Sequence, residues 1–250
     1  MIQKTLVVIP TRLGATRLPH KPLADMCGKP MIVHVWEKAV AANVGPVIVA
    51  SADQEILDAV RSFGGEGVLT DPHLPTGTDR IKAAMDLYDP QGTYTHIINI
   101  QGDLPTLDPG LVRHVLDPFE DPLVDMATLS APITDPHELS DENVVKIALS
   151  LKENASIGRA LYFSRHLLPS GEGIHYHHIG LYAYTRDCLN RFVSLPVNGL
   201  EVRERLEQLR ALAHGMRIDV KVVETKAPFG VDTPADLEKA RDILRKNYND

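Results

Sequence analysis

The stretch Leu6-Val7-Val8-Ile9-Pro10-Thr11-Arg12-Leu13-Gly14-Ala15-Thr16-Arg17-Leu18-Pro19-His20-Lys21-Pro22-Leu23 sets a short apolar run directly against a loop rich in cations. Consecutive apolar, largely β-branched residues leave no side for water, which is the pattern of a strand buried on both faces. The pattern recurs at Val47-Ile48-Val49-Ala50 and at Ile97-Ile98-Asn99-Ile100. Between these runs lie helical patterns: Met31 to Ala42 carries Ile32, Val35, Trp36, Ala39 and Val40, and Asp53 to Phe63 starts at an N-cap Asp and carries Ile56, Leu57, Val60 and Phe63. Strand, helix and strand in repetition predict a parallel sheet with helices on both faces. The cationic loop then falls at a strand's carboxyl end, the edge where open α/β sheets bind ligands.

Working outward, the 250 residues suit one large α/β domain, or one domain with a small lobe. With 44% hydrophobic and 24% charged residues, composition excludes disordered, collagen-like and membrane classes. The 26 Lys and Arg against 33 Asp and Glu leave a net charge of −7, which repels a nucleic-acid backbone, so no nucleic-acid partner is expected and a phosphate site must be a local basic cluster. Cys27 and Cys188 form no CxxC pair and suggest neither a disulfide framework nor a zinc site. The run before Pro10 is too short for a signal-peptide core or a membrane span, so a cytoplasmic location without membrane insertion is expected.

Past Pro105 the periodicity predicts a helix near Pro109 to Phe119 and strands near Met126 to Ala131, Val144 to Leu149 and Gly180 to Tyr184. A turn-rich loop follows at Ser170-Gly171-Glu172-Gly173. Val202 to His214 reads as one amphipathic helix with Val202, Leu206, Leu209 and Ala213 on its apolar stripe. A strand over Ile218 to Val223 and a helix over Pro234 to Leu244, with Pro in its first turn, complete the pattern.

Three cations, Arg12, Arg17 and Lys21, fall within ten residues and could form an anion pocket, or simply a solvated loop. No Walker or GxGxxG pattern is present, so a phosphate cradle here rests on side chains and a turn at Gly14. Asp103 stands just past a buried strand and Asp232 just past the last strand region, which places both at the carboxyl edge. Two aspartates remote in sequence beside a basic pocket suit Mg²⁺, a hard cation that takes one or two carboxylates and completes its shell with water and phosphate oxygens. Asp232 could equally cap the helix at Pro234. In His175-Tyr176-His177-His178, alternation along a strand lets at most His175 and His177 share a ligand set. Glu204, Glu207, Gln208 and Ala211 form a second stripe on the predicted helix, the usual pattern of a solvated face.

The runs VIPTRLGATRLPHKPL, GKPMIVHV, QGDLP, ALYFSR, HHIGLYAY, LEQLRAL and GVDTPADLE follow one another in order as far as residue 238. Together they resemble the 3-deoxy-manno-octulosonate (KDO) cytidylyltransferases, also called CMP-KDO synthetases. The resemblance implies an α/β fold, a three-layer sandwich of the nucleotide-diphospho-sugar transferase type with a mixed, mostly parallel sheet. It implies a single domain over residues 1–250, with a smaller lobe at roughly 125–200 that binds the sugar and forms a homodimer. The implied activity is Mg²⁺-dependent transfer of CMP from CTP to the anomeric 2-hydroxyl of KDO, giving CMP-KDO and pyrophosphate for lipopolysaccharide synthesis. Arg12, Lys21, Asp103 and Asp232 are the implied catalytic residues, and the two aspartates are the implied metal ligands. CTP contacts are implied at Pro10, Arg12, Leu13, Ala15, Arg17, Lys21, Ser51, Thr76 and Gly77, and sugar contacts at Gln101, Arg165, His178, Tyr182, Glu207 and Gln208. Arg165 suits the sugar's carboxylate because a guanidinium binds bidentately, and His178 and Tyr182, four apart on a presumed strand, share a face.

The chain departs from the family at several of these places. Ala52 stands where relatives often carry an acid, with Asp53 one position later. Leu74-Pro75 replaces two polar residues, Ala15 a Ser, and Leu104 a Glu, while Pro169-Ser170-Gly171-Glu172 replaces a loop containing Trp. The alternatives are a cytidylyltransferase for a sialic, pseudaminic or 8-amino-KDO type sugar acid, a transferase of another nucleotide, and a non-catalytic nucleotide-binding protein.

Overall fold

The computed structural model describes residues 4–14, 18–225 and 227–247. The chain divides into two compact units, one running up to Val112 and resuming at Pro228, the other spanning Arg113–Ala227.

In the first unit, β1 (Thr5–Thr11) carries Leu6, Val7, Val8 and Ile9 with no exposed surface. A small two-stranded ribbon of β2 (Asp25–Met26) and β3 (Lys29–Pro30) leads into α1 (Met31–Ala41). Then follow β4 (Val47–Ser51), α2 (Gln54–Ser62), β5 (Glu66–Leu69), α3 (Gly77–Tyr88) and β6 (His96–Asn99). These strands form a parallel array in the order β5-β4-β1-β6. The register pairs Thr11 with Ser51 and Val8 with Asn99, so the ends of β1, β4 and β6 open along one carboxyl edge. Helix α3 escapes a reading based on apolar periodicity, although Thr76-x-x-Asp79 is a capping pair: Thr76 Oγ1 accepts from Asp79 N and donates to the Asp79 carboxylate. The helix expected through Phe119 stops earlier, since α4 covers Pro109–His114 and a 3₁₀ turn takes Asp117–Glu120. Pro118 has no amide proton with which to continue an α-helix.

The second unit contains β7 (Met126–Pro132), α5 (His137–Ser140), β8 (Lys146–Ser150), β9 (Ile157–Ser164), β10 (Tyr176–Thr185), α6 (Arg186–Ser194), α7 (Gly199–Glu204), α8 (Gln208–Ala213) and β11 (Ile218–Val222). Its strands run β10-β7-β11-β9-β8, and the first two residues of β10 also pair with β8, so the ladder closes on itself. Closure leaves fewer strand edges open to other chains. A bulge interrupts β10 between Ile179 and Tyr182, where Thr128 Oγ1 donates to the carbonyls of Ile179 and Leu181.

The single helix expected over Val202 to His214 is two helices. Arg205 sits between them in the left-handed region at φ 56°, ψ 45°, which ends α7. The rotation this introduces breaks both predicted stripes: Leu206 and Leu209 are buried as expected, but Val202 and Ala213 are exposed, whereas Gln208 and Ala211, placed on the solvated face by periodicity, are buried.

Finally α9 (Pro234–Asn247) rejoins the first unit, packing Leu237, Ala240 and Leu244, together with Val231, against Met26 and Met31.

Candidate active site

The loop after β1 and the segment after β6 bound a cavity of about 390 Å³ lined by Pro10, Thr11, Arg12, Gly14, Lys21, Gln101, Asp103 and Asp232 among others. Lys21 opens a 3₁₀ turn whose second residue is the buried Pro22. Its ammonium donates to Asp103 Oδ2 at 3.0 Å, Asp232 Oδ1 at 3.1 Å and the Val231 carbonyl at 2.9 Å. Burial alone would lower the affinity of Lys21 for its proton, but Asp103 and then Asp232 outweigh it and hold the pKa above the ordinary lysine value. Gly102 permits the close approach, because a Cβ there would meet the Pro10 carbonyl oxygen at 3.1 Å and Thr11 Cβ at 3.2 Å. The backbone ties the two carboxylate segments together through Val231 N, which donates to Asp103 O at 3.0 Å.

Asp232 does not cap α9. Thr233 Oγ1 accepts from Asp236 N, and the Asp236 carboxylate accepts in return from the amides of Thr233 and Asp232. With the helix end satisfied by that pair, the Asp232 carboxylate turns to Lys21. Two carboxylates from distant parts of the chain therefore converge on one cation position, each still partly open, at 34% exposure for Asp103 and 48% for Asp232. Such a donor set fits a hard divalent ion that fills its remaining positions with water and phosphate oxygens.

A second cavity, of about 180 Å³, shares Pro10, Thr11, Arg12 and Gln101 with the first and adds Leu74, Pro75, Thr76, Gly77 and Arg80. Arg80 is 4% exposed and was not singled out from the sequence. It donates from Nη1 to Thr70 Oγ1 at 2.5 Å and to the Asp71 carbonyl at 3.4 Å. Burial lowers its pKa, Asp53 opposes that, and Arg12 adds to it. Ser51, implied as a CTP contact, lines neither cavity: it is fully buried and its Oγ accepts from Asp53 N at 3.1 Å. Leu13 likewise lies outside both linings, its amide donating to Asp53 Oδ2 at 2.8 Å. Ala15 and Arg17 lie outside the described residues.

Of the residues implied for the sugar, Gln101 lines both cavities of the first unit, while the other five belong to the second unit. His178 is buried, with Nε2 3.0 Å from Thr128 Oγ1, and burial followed by the charge of neighbouring His177 pushes its pKa down to about 3. Despite the bulge, its ring lies 5.4 Å from that of Tyr182. Burial, with Tyr184 and Glu207 adding to it, pushes the Tyr182 phenol well above its ordinary value. Gln208 Nε2 is buried and has no hydrogen-bond partner among the described residues. Arg165 lies apart from this group. It faces a cavity of about 300 Å³ with Glu142, His166, Arg203, Glu204 and Arg205, and donates to the carbonyls of Glu204 and Glu142. His177 pairs with Glu138 at 3.4 Å, and His175 Nδ1 lies 3.4 Å from the Leu168 carbonyl, so the two histidines that could have shared a ligand set are engaged separately.

A family model described as Cytidylyltransferase matches residues 6–218. A 3-deoxy-manno-octulosonate cytidylyltransferase of Paramagnetospirillum magneticum is 56% identical over 96% of this chain and 97% of its own length. One from Parvibaculum lavamentivorans is 58% identical over 96% of this chain and 93% of its own length. The chain belongs to the 3-deoxy-manno-octulosonate cytidylyltransferase family. A solved CMP:2-keto-3-deoxy-manno-octonic acid synthetase, complexed with CTP, superposes at a TM-score of 0.89 with 38% identity, covering 98% of this chain and 100% of the other. For this member of the cytidylyltransferase family, the expected α/β fold of the nucleotide-diphospho-sugar transferase type is thereby established. No helix among the described residues is long and apolar enough to cross a membrane.

Proposed function

We propose that the chain transfers CMP from CTP to the anomeric 2-hydroxyl of KDO. The observation that carries this reading is the convergence of Lys21, Asp103 and Asp232 in a cavity that runs, through shared Pro10, Thr11, Arg12 and Gln101, into a second one at the start of α3. The first has the charge to receive a triphosphate and the second, between Pro10 and Thr76-Gly77, the place for a base. In the reaction, the 2-hydroxyl oxygen bonds to the α-phosphorus of CTP, the bond from that phosphorus to the bridging oxygen breaks, pyrophosphate leaves, and the hydroxyl proton passes to solvent.

Asp103 and Asp232 would hold Mg²⁺, which when bound polarises phosphoryl oxygens and lowers the pKa of an oxygen ligand. Lys21, kept protonated by its carboxylate partners, and Arg12 counter charge on the transferring and leaving phosphates; one such preorganised contact is worth about 3 kcal/mol of barrier. Gln101 sits where the two cavities meet. In the second unit, Tyr182, His178, Glu207 and Gln208 form the group assigned to the sugar hydroxyls, and the unpartnered amide nitrogen of Gln208 is a donor available to one of them. Arg165 is assigned to the sugar carboxylate. A homodimer belongs to the same reading and would cover exposed apolar side chains of the second unit such as Leu161, Leu167, Ile174, Val197 and Val202. A cytoplasmic location is supported by two cysteines that are both free thiols.

Pyrophosphate release is measured with Mg²⁺ and each of CTP, UTP, ATP and dTTP, with and without KDO, and with a sialic acid beside CTP. Release with CTP and KDO together is the expected result. Release with another sugar acid retains the chemistry and replaces the substrate, and no release with any pair overturns the reading. Sedimentation velocity tests the dimer.

A further inference from the structure

Asp53 holds the N-cap position of α2, with extended backbone at φ −101° and ψ 112°, yet its side chain caps nothing. An aspartate in that position ordinarily accepts from the first amides of its own helix. Here Oδ2 accepts instead from the amide of Leu13, forty positions away, at 2.8 Å. Its own amide is fixed by the fully buried Ser51 hydroxyl at the end of β4. The path Ser51, Asp53, Leu13 thus runs from a rigid strand end to the loop after β1. Arg12 is exposed, and the peptide that follows it is the one Asp53 grips.

We infer that Asp53 is a positioning residue for the nucleotide: by holding the Leu13 amide it fixes the Arg12 loop that forms a wall of both cavities. The inference rests on the reading that CTP occupies those cavities. The carboxylate also offsets the mutual repulsion of Arg12 and Arg80, which act on one another across the smaller cavity. Preorganisation of this kind lowers the ordering that binding must otherwise impose. Asp53 is the carboxylate that reaches the loop.

The test compares Asp53→Ala, which removes both acceptor and charge, with Asp53→Asn, which keeps an acceptor oxygen. Steady-state KM and kcat, CTP binding by calorimetry and hydrogen exchange at the Leu13 amide are measured on the full chain. Asp53→Ala is expected to raise KM and Kd for CTP by about tenfold to a hundredfold, to leave KM for the sugar acid unchanged, and to speed Leu13 exchange. Asp53→Asn is expected to restore Leu13 protection and much of the CTP affinity. An Asp53→Ala protein with ordinary CTP affinity overturns the inference, as does one that loses both substrates equally with no recovery in Asp53→Asn. If Asp53→Ala fails to fold, Asp53→Asn decides: a Leu13 amide that exchanges freely there overturns the inference. A parent protein that releases no pyrophosphate from CTP overturns the functional reading instead, and Leu13 exchange still decides whether Asp53 holds the loop.

Discussion

Arg210 and Glu201 form a bidentate ion pair across the break between α7 and α8, Nε to Oε2 at 2.8 Å and Nη2 to Oε1 at 2.5 Å. Both are largely buried, at 6% and 13% side-chain exposure, and the guanidinium also lies 5.1 Å from the centre of the Phe192 ring. Glu201 additionally completes the capping box that starts α7 at Asn198. Arg210→Met strands a buried carboxylate and is expected to destabilise the protein by about 3–5 kcal/mol. Urea denaturation measures this, and a loss below about 1 kcal/mol would mean that the pair holds nothing.

Asp103→Asn removes one carboxylate from Lys21 and from the place assigned to Mg²⁺. Turnover is expected to fall by about a hundredfold or more while CTP still binds. Single-turnover kinetics beside CTP calorimetry separates the two, and an Asn variant with ordinary turnover removes Asp103 from the chemistry.

His178 gives the protein an acid-side weakness. Its ordinary pKa of 6.5 is lowered to about 3 in the fold, first by burial and then by His177, so between those values the unfolded chain binds a proton that the folded one refuses. Stability is therefore expected to decline as pH falls through this window, by up to about 1.4 kcal/mol per pH unit for this group. His178→Gln should flatten that part of the slope in a series of denaturation curves. Identical slopes for the two proteins would show that His178 binds its proton equally in the folded and unfolded chain, and would overturn the prediction.

Thr128 is fully buried at the bulge in β10, and its hydroxyl serves two carbonyls as well as His178. Thr128→Val keeps the shape and removes the donor, leaving buried acceptors unpaired. A loss of about 1–3 kcal/mol is expected in thermal unfolding. An unchanged midpoint would mean that the bulge is held by its ladder bonds without Thr128.

What was legible in the sequence followed burial. The strands β1, β4 and β6 are buried almost throughout, so each carries consecutive apolar residues at its centre, with buried polar residues confined to Thr5, Ser51 and Asn99 at or near the strand ends. In β5 no residue is fully buried, and Glu66-Gly67-Val68-Leu69 offers no period to read. Helix periodicity failed at 202–214 because it presumes an unbroken helix. Neither the left-handed Arg205 nor the Glu201–Arg210 pair leaves a trace in the spacing of apolar residues. At the site, the strand-end rule placed Asp103, but Asp232 was open between cap and ligand. The Thr233-x-x-Asp236 pair, present in the sequence, was the signal that another residue already held the cap. Arg80 gave no such signal, since an arginine on a helix is ordinarily solvated and only the tertiary placement of Thr70 and Asp71 buries it.

The return of the chain to its first unit at residue 228 has a consequence for synthesis. A ribosome makes β1, the Arg12 loop and Asp103 long before Asp232, and translates the whole second unit in between. Until α9 docks on Met26 and Met31, the nascent protein carries Lys21 with a single carboxylate partner. Completion of the Lys21–Asp103–Asp232 cluster thus waits on a segment made after the whole second unit, so a product terminated within that unit lacks half of its acidic pair however well its earlier strands have folded.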